Sequence, residues 1–113
     1  MIENYRFGSI NIDGKVYNYD VEVRWDGQVL EWRRDESHKI DIASVKRAIE
    51  QHPAIIIIGT GEMGVAEVSG ETGQAIINQG IGLIVEKTGK AIISFNQKKE
   101  KGVKVIGLFH LTC

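Results

Sequence analysis

The chain has 113 residues, 42% apolar and 26% charged, and its 14 basic and 15 acidic side chains leave a net charge of −1. That length supports one core and one domain, 1–113, and so balanced a charge gives no field to draw nucleic acid or an anionic membrane surface. The longest apolar run, 54–58, falls far short of the roughly 20 residues that cross a bilayer.

The opening MIENYRFG has neither the basic nor the apolar region of a secretory signal, and the lone Cys113 cannot form an internal disulfide. Both point to a cytoplasmic chain. Seventeen isoleucines against four leucines favour strands, because β-branched side chains suit a pleated, buried surface.

The first third reads as an antiparallel meander with strands near 5–12, 15–25 and 28–34. Tyr17, Tyr19, Val21, Val23 and Trp25 alternate with Asn18, Asp20, Glu22 and Arg24, the period of a half-buried strand. Asp13-Gly14 and Asp26-Gly27 flank it as hairpin turns. From residue 41 the rhythm becomes βα. Asp41 is placed to cap a helix carrying Ile42, Val45 and Ile49 on one face, with Pro53 beyond its end and Ile40 and Val45 as a hydrophobic staple. A strand over 54–58 is apolar throughout, so both its faces are covered. A helix near 70–79 leads to a strand at 81–86. Thr88 then caps a helix to about Lys101, with Ala91, Ile92 and Phe95 inward and Gly102 just past its end. The last strand, 103–111, carries Val103, Val105 and Phe109 on one face and Ile106 and Leu108 on the other, which makes it central. The fold class is α/β in three layers, with a mixed central sheet, helices and an N-terminal β-meander.

Gly59, Gly61 and Gly64 match the dinucleotide fingerprint G-x-G-x-x-G after a buried strand, and Glu86 ends the next strand about where a ribose-binding acid belongs. The fingerprint requires a helix to open at once. Gly70 and Gly73 each cost a continuous helix roughly 1 kcal/mol, so the helix starts at Ser69 or Gly70 and 59–68 is a loop. No cofactor is therefore expected. The loop amides from Gly59 to Met63 could still form a small anion-binding nest.

The stretches WRRDESH (32–38), IIGTG (57–61), KTGKAIISFN (87–96) and GVKVIGLFHLTC (102–113) resemble the Mth domain family over nearly the whole chain. That family includes an adipogenesis-associated member, microbial relatives and, more distantly, a mitochondrial complex I assembly factor. The spacing of Thr88, Ala91, Phe95 and Asn96 carries most of the likeness. It implies a central last strand antiparallel to its neighbours, and a domain of assembly or regulatory character with no established enzymatic activity. The family pattern at the loop is GTG, so Gly64 is this chain's departure from it.

An antiparallel last strand would put its C-terminal end at the opposite sheet edge from loop 59–64. The loop and Thr88 would share an edge, where ligands of open α/β sheets bind. The candidate pocket is Gly59, Thr60, Gly61, Glu62, Met63 and Thr88, walled by Arg34 and His38 together with Arg33. Asn96 either bonds the loop or faces water. Against this stand plainer roles: a glycine-rich turn, a helix cap at Thr88 and a solvated loop of charges. His38, His52, His110 and Cys113 lack zinc-like spacing, so no metal is expected, and no catalytic set appears. KKEKGVK (98–104) reads as the wet end of a helix, without the interleaved aromatics of a nucleic-acid surface. The expectation is a non-enzymatic module that binds a protein partner and self-associates as a homo-oligomer. The alternative is a protein or enzyme holding a small anionic ligand at loops 59–64 and 86–90.

Overall fold

Turn chemistry sets the N-terminal third. In the computed structural model, which describes residues 1–113, β1 (Ile2–Arg6), β2 (Ser9–Ile12) and β3 (Lys15–Tyr17) form an antiparallel three-stranded sheet. Ile12 pairs with Lys15 across Asp13-Gly14, whose φ angles of 51° and 85° are those of a type I′ turn. The meander does not stay in one sheet. The alternation over 15–25 breaks at 18–20, and β4 (Val21–Arg24) and β5 (Val29–Glu31) cross into a second, five-stranded sheet, which they share with β7 (Ile55–Thr60), β9 (Gly82–Glu86) and β10 (Val105–His110) in the order β5-β4-β10-β7-β9. Glu22 and Arg24 are therefore not a wet face, as the alternation suggests, but buried. The Glu22 carboxylate accepts from Arg24 Nε at 2.8 Å and from Arg47 Nε at 3.0 Å, so the buried charge is paired from two sides.

The rest alternates as expected. Asp41 caps α1 (Ile42–Ile49) by accepting from Ser44 N at 3.0 Å, and Ile40 and Val45 are both buried. The buried strand is β7 (Ile55–Thr60). Ser69 caps α2 (Gly70–Asn78), which precedes β9 (Gly82–Glu86). Within the stretch 59–68, Glu67–Val68 forms a short strand, β8, that pairs with β6 (Lys39–Ile40). Next comes α3 (Thr88–Glu100), with Gly102 at φ +75° beyond its end. Thr88 is its first residue rather than its cap, and no side chain caps this helix. Asn96 lies on α3 away from the loop: its amide accepts from Ile2 N at 3.0 Å and donates to Ile2 O at 2.9 Å, which ties β1 to the helix.

Strand β10 (Val105–His110) is central and runs antiparallel to β4, with Ile106 opposite Arg24 and Phe109 opposite Val21. Toward β7 it runs parallel, from Val105 opposite Ile55 to His110 opposite Thr60. The expectation of antiparallel neighbours thus holds on one side only, and residues 110–113 emerge beside loop 59–64 instead of at the opposite edge. Each sheet face carries its own core. On one, Val21, Val23, Ile57, Val105 and Phe109 meet Ala91, Ile92 and Phe95 of α3 and Ile2, Ile10 and Ile12 of the N-terminal sheet. On the other, Ile56, Ile58, Ile106 and Leu108 meet Val45, Ala48, Ile76 and Trp32.

Phe95 and Phe109 pack edge to face with centroids 5.8 Å apart, directly over Gly107. A Cβ at 107 would lie 2.5 Å from Phe109 Cε2 and 3.0 Å from Phe95 Cδ2. Gly107→Ala is expected to destabilise the chain by about 2 kcal/mol through overpacking, read as a lower midpoint in urea unfolding.

Candidate functional site

The carboxyl end of β7 is crowded because two further segments close on it. A Cβ at Gly59 would lie 2.8 Å from Thr88 Oγ1, and one at Gly61, where φ is +104°, would lie 2.5 Å from Cys113 O and 2.7 Å from Thr112 O. Both positions require glycine. The buried Thr88 hydroxyl accepts from Gly61 N at 2.8 Å and donates to His110 O at 2.6 Å. Glu62 N donates to Thr112 O at 2.7 Å and Val65 N to Cys113 O at 3.0 Å. Thr60, also buried, donates its hydroxyl to Glu86 O at 3.2 Å. Gly59, Thr60, Gly61 and Thr88 are thus brought together as expected, but as a closed joint. The Gly61 and Glu62 amides of the anticipated anion nest are spent on Thr88 and on the chain's own residue 112, while the Glu62 and Met63 side chains face outward.

Beside this joint lies a cluster of charges. His110, buried at the end of β10, places Nδ1 2.7 Å from Asp20 Oδ2, and Asp20 Oδ1 accepts from Leu111 N at 2.8 Å. Arg34 Nη2 reaches the same Oδ2 at 2.9 Å and Ser37 O at 2.9 Å. Its guanidinium lies 4.2 Å from the centre of the Trp32 ring. The Arg34 side chain is only 2% exposed, yet Nε and Nη1 have no partner. A carboxylate accepts only, so the ring nitrogen that faces Asp20, Nδ1, carries a proton, while Nε2 lies 3.4 Å from Thr112 Oγ1. The exposed His38 ring stands edge-on to His110 at 6.1 Å. Burial pushes the Asp20 carboxyl upward, but the His110 and Leu111 hydrogen bonds and the His110 and Arg34 charges outweigh it, holding its pKa below the ordinary 3.8. Tyr5 borders the cluster with its hydroxyl 3.4 Å from Leu111 O. Burial, then the hydrogen bond and charge of Glu62 and the charge of Asp20, raise its pKa.

Chemically, Asp20 and His110 form an oriented imidazole with a hydroxyl near Nε2, but the amides best placed to stabilise an oxyanion are already engaged. No three His, Cys, Asp or Glu side chains converge as metal ligands, and no helix is long and apolar enough to cross a membrane. A cleft of about 510 Å³ lies on the outer side of this cluster, lined by Asp20, Glu31, Trp32, Arg33, Arg34, Asp35 and Ser37. Of the residues read from the sequence, Arg34 and His38 reach the cluster, Arg33 stays in solvent against Glu31, and Asn96 belongs elsewhere. Asp20 and Tyr5 are absent from the candidates read from the sequence, and His110 enters there only among the histidines set aside for lack of zinc-like spacing. His110 is the one ionisable side chain of β10 as observed, whereas the strand read from the sequence, 103–111, also held Lys104.

The model of a family described as "Protein of unknown function (DUF498/DUF598)" matches residues 2–110, and the chain belongs to that family. Its fold is shared by a conserved hypothetical protein of Pyrococcus horikoshii, with TM-score 0.91 at 22% identity over 100% of this chain and 99% of that one. The protein MT938 is similar at 28% identity with TM-score 0.85, covering 100% and 98%. A Mth938-like domain of Bordetella pertussis superimposes with TM-score 0.80 at 15% identity, covering 97% and 84%. The Mth resemblance carried by the residues 87–96 and 102–113 is thereby upheld.

Two outcomes test the site. Thr88→Val keeps the shape but strands Gly61 N–H and His110 C=O, and is expected to lose about 2–4 kcal/mol in urea unfolding, while Thr88→Ser stays near wild type. Asp20, with its folded pKa depressed, contributes stability that is present above the unfolded value and lost as pH falls through the folded one. In a pH series of urea midpoints below about pH 4, Asp20→Asn should flatten the acid-side decline of the wild type.

Proposed function

We propose, with membership of this family as the premise, that the chain is a protein-interaction or assembly module whose partner face is the carboxyl end of the central sheet. One observation carries the reading: four large apolar side chains, Phe7, Tyr19, Met63 and Val65, stand exposed around segment 110–113. Phe7 and Met63 are 61% and 69% exposed. Hydrogen bonds to that one segment hold each nearby. Gly8 N donates to Leu111 O at 2.8 Å, Asp20 Oδ1 accepts from Leu111 N, and Glu62 and Val65 donate to residues 112 and 113. Exposed apolar side chains gathered at one end of a small domain mark a surface that a partner covers. Beneath them the polar groups of the joint are already paired within the chain, so an apolar partner strands few of them.

The rival, a small anionic ligand, draws on the two unpartnered nitrogens of Arg34. It has lost the loop amides and Thr88 as donors. A thermal-shift series with phosphates and carboxylates separates the two, since a ligand at 100 times its dissociation constant adds about 2.7 kcal/mol.

The partner reading is tested by Phe7→Asp combined with Met63→Asp. Both side chains are exposed, so the urea midpoint should barely move. Quantitative mass spectrometry of proteins cross-linked to the tagged chain in its host should show a partner present with wild type and depleted at least tenfold with the double variant. An unchanged set of cross-linked proteins would sink the reading.

A further inference from the structure

Strand edges expose unpaired N–H and C=O groups, and proteins close or blunt them. Most edges here are managed. Asn96 occupies both backbone groups of Ile2 on β1. β3 is three residues long and carries the exposed Lys15. On β5, Arg47 Nη2 donates to Glu31 O at 2.9 Å and Glu31 pairs with Arg33. β6 and β8 are two residues each.

β9 is the exception. Its register against β7 runs unbroken from Gly82 to Glu86, with no bulge, and the sequence GLIVE contains no Pro or Lys. Gly82 N donates to Ala54 O at 3.0 Å, which turns the backbone groups of residues 82, 84 and 86 toward β7. The N–H and C=O of Leu83 and Val85 therefore point outward. Val85 is 44% exposed. Over the same face lies α2, where a Cβ at Gly73 would touch Leu83 Cδ2 at 3.7 Å. Ile77, four residues on and so on the same side of the helix, is exposed above the edge.

We propose that β9 pairs antiparallel with β9 of a second copy of this chain, about a two-fold axis through Ile84, so that two five-stranded sheets become one of ten. The edge is complementary to itself. With Ile84 on the axis, Leu83 and the partner's Val85 exchange two hydrogen bonds, and the reciprocal pair makes two more. Ile84 meets the partner's Ile84 in the closely spaced, non-hydrogen-bonded position, where β-branched side chains pack across strands. Glu86 falls opposite the partner's Gly82 and Lys87 opposite the partner's Ile81, so no like charges face each other across the seam. Leu83, Val85 and Ile77 of both copies gather on the α2 face. The surface is separate from the one around segment 110–113, so either can fail without the other.

Sedimentation velocity at about 100 µM should give wild type the mass of two chains. Val85→Lys, which places a charge at an exposed edge position, should halve that mass with an unchanged circular dichroism spectrum. In wild type, the amide exchange of Leu83 and Val85 should slow with increasing protein concentration, while Gly82 and Ile84, bonded within the chain, show no such dependence. Phe7→Asp with Met63→Asp should leave the dimer intact. A wild type that sediments as one chain at this concentration, or a Val85→Lys variant that remains a dimer, would overturn the pairing.

Discussion

One hydroxyl holds three elements in register. Thr88 begins α3, and its Oγ1 takes the Gly61 amide at the exit of β7 and gives its proton to the His110 carbonyl at the end of β10. The two strands are parallel neighbours whose ends would otherwise splay into loops. With Thr88 between them, the chain after His110 is directed back over Gly61, and only a residue without a Cβ can lie beneath it. The GTG turn therefore serves the packing of its own chain. Its glycines admit backbone where a nucleotide fingerprint would admit a pyrophosphate.

The face of the sheet covered by α1 carries two charge clusters that the apolar core does not explain. Glu22 with Arg24 and Arg47, and Asp20 with Arg34 and His110, both begin on or next to β4. Each carboxylate accepts from more than one donor, the condition under which a buried charge is tolerable. Both bind the β5 side of the sheet to what covers it: Arg47 reaches over from α1, and Arg34 from the segment that follows β5. Removing one partner from either cluster would leave the other as an uncompensated buried charge.

How much of this was legible follows from the range of each interaction. The Asp41 cap, the start of α2 at Ser69 or Gly70, the Asp13-Gly14 turn and the two-faced apolar strands β7 and β10 depend on neighbours within a few residues, and the sequence patterns reach that far. The burial of Glu22 depends on which sheet β4 joins, and alternation at period two is identical for a wet face and for a face covered by a helix bearing arginine. Thr88 read as a cap because a threonine opening a helix normally is one; its real partners lie 27 and 22 residues away. Asn96 bonds across 94 residues and Asp20 across 90, which no local pattern encodes. The direction of β10 relative to β7 was of the same kind, and with it went the placing of residues 110–113.

The centrality of β10 has a consequence for synthesis. Of the ten strands it is the last to be made, yet it lies between β4 and β7 and forms part of both cores. Until it emerges, the pairs β5-β4 and β7-β9 lack the strand that joins them, and a two-stranded unit alone is marginal in water. The sheet cannot close progressively from the N-terminus. The central sheet cannot be completed before β10 has been made, and until then the facing edges of β4 and β7 are the ones left unpaired.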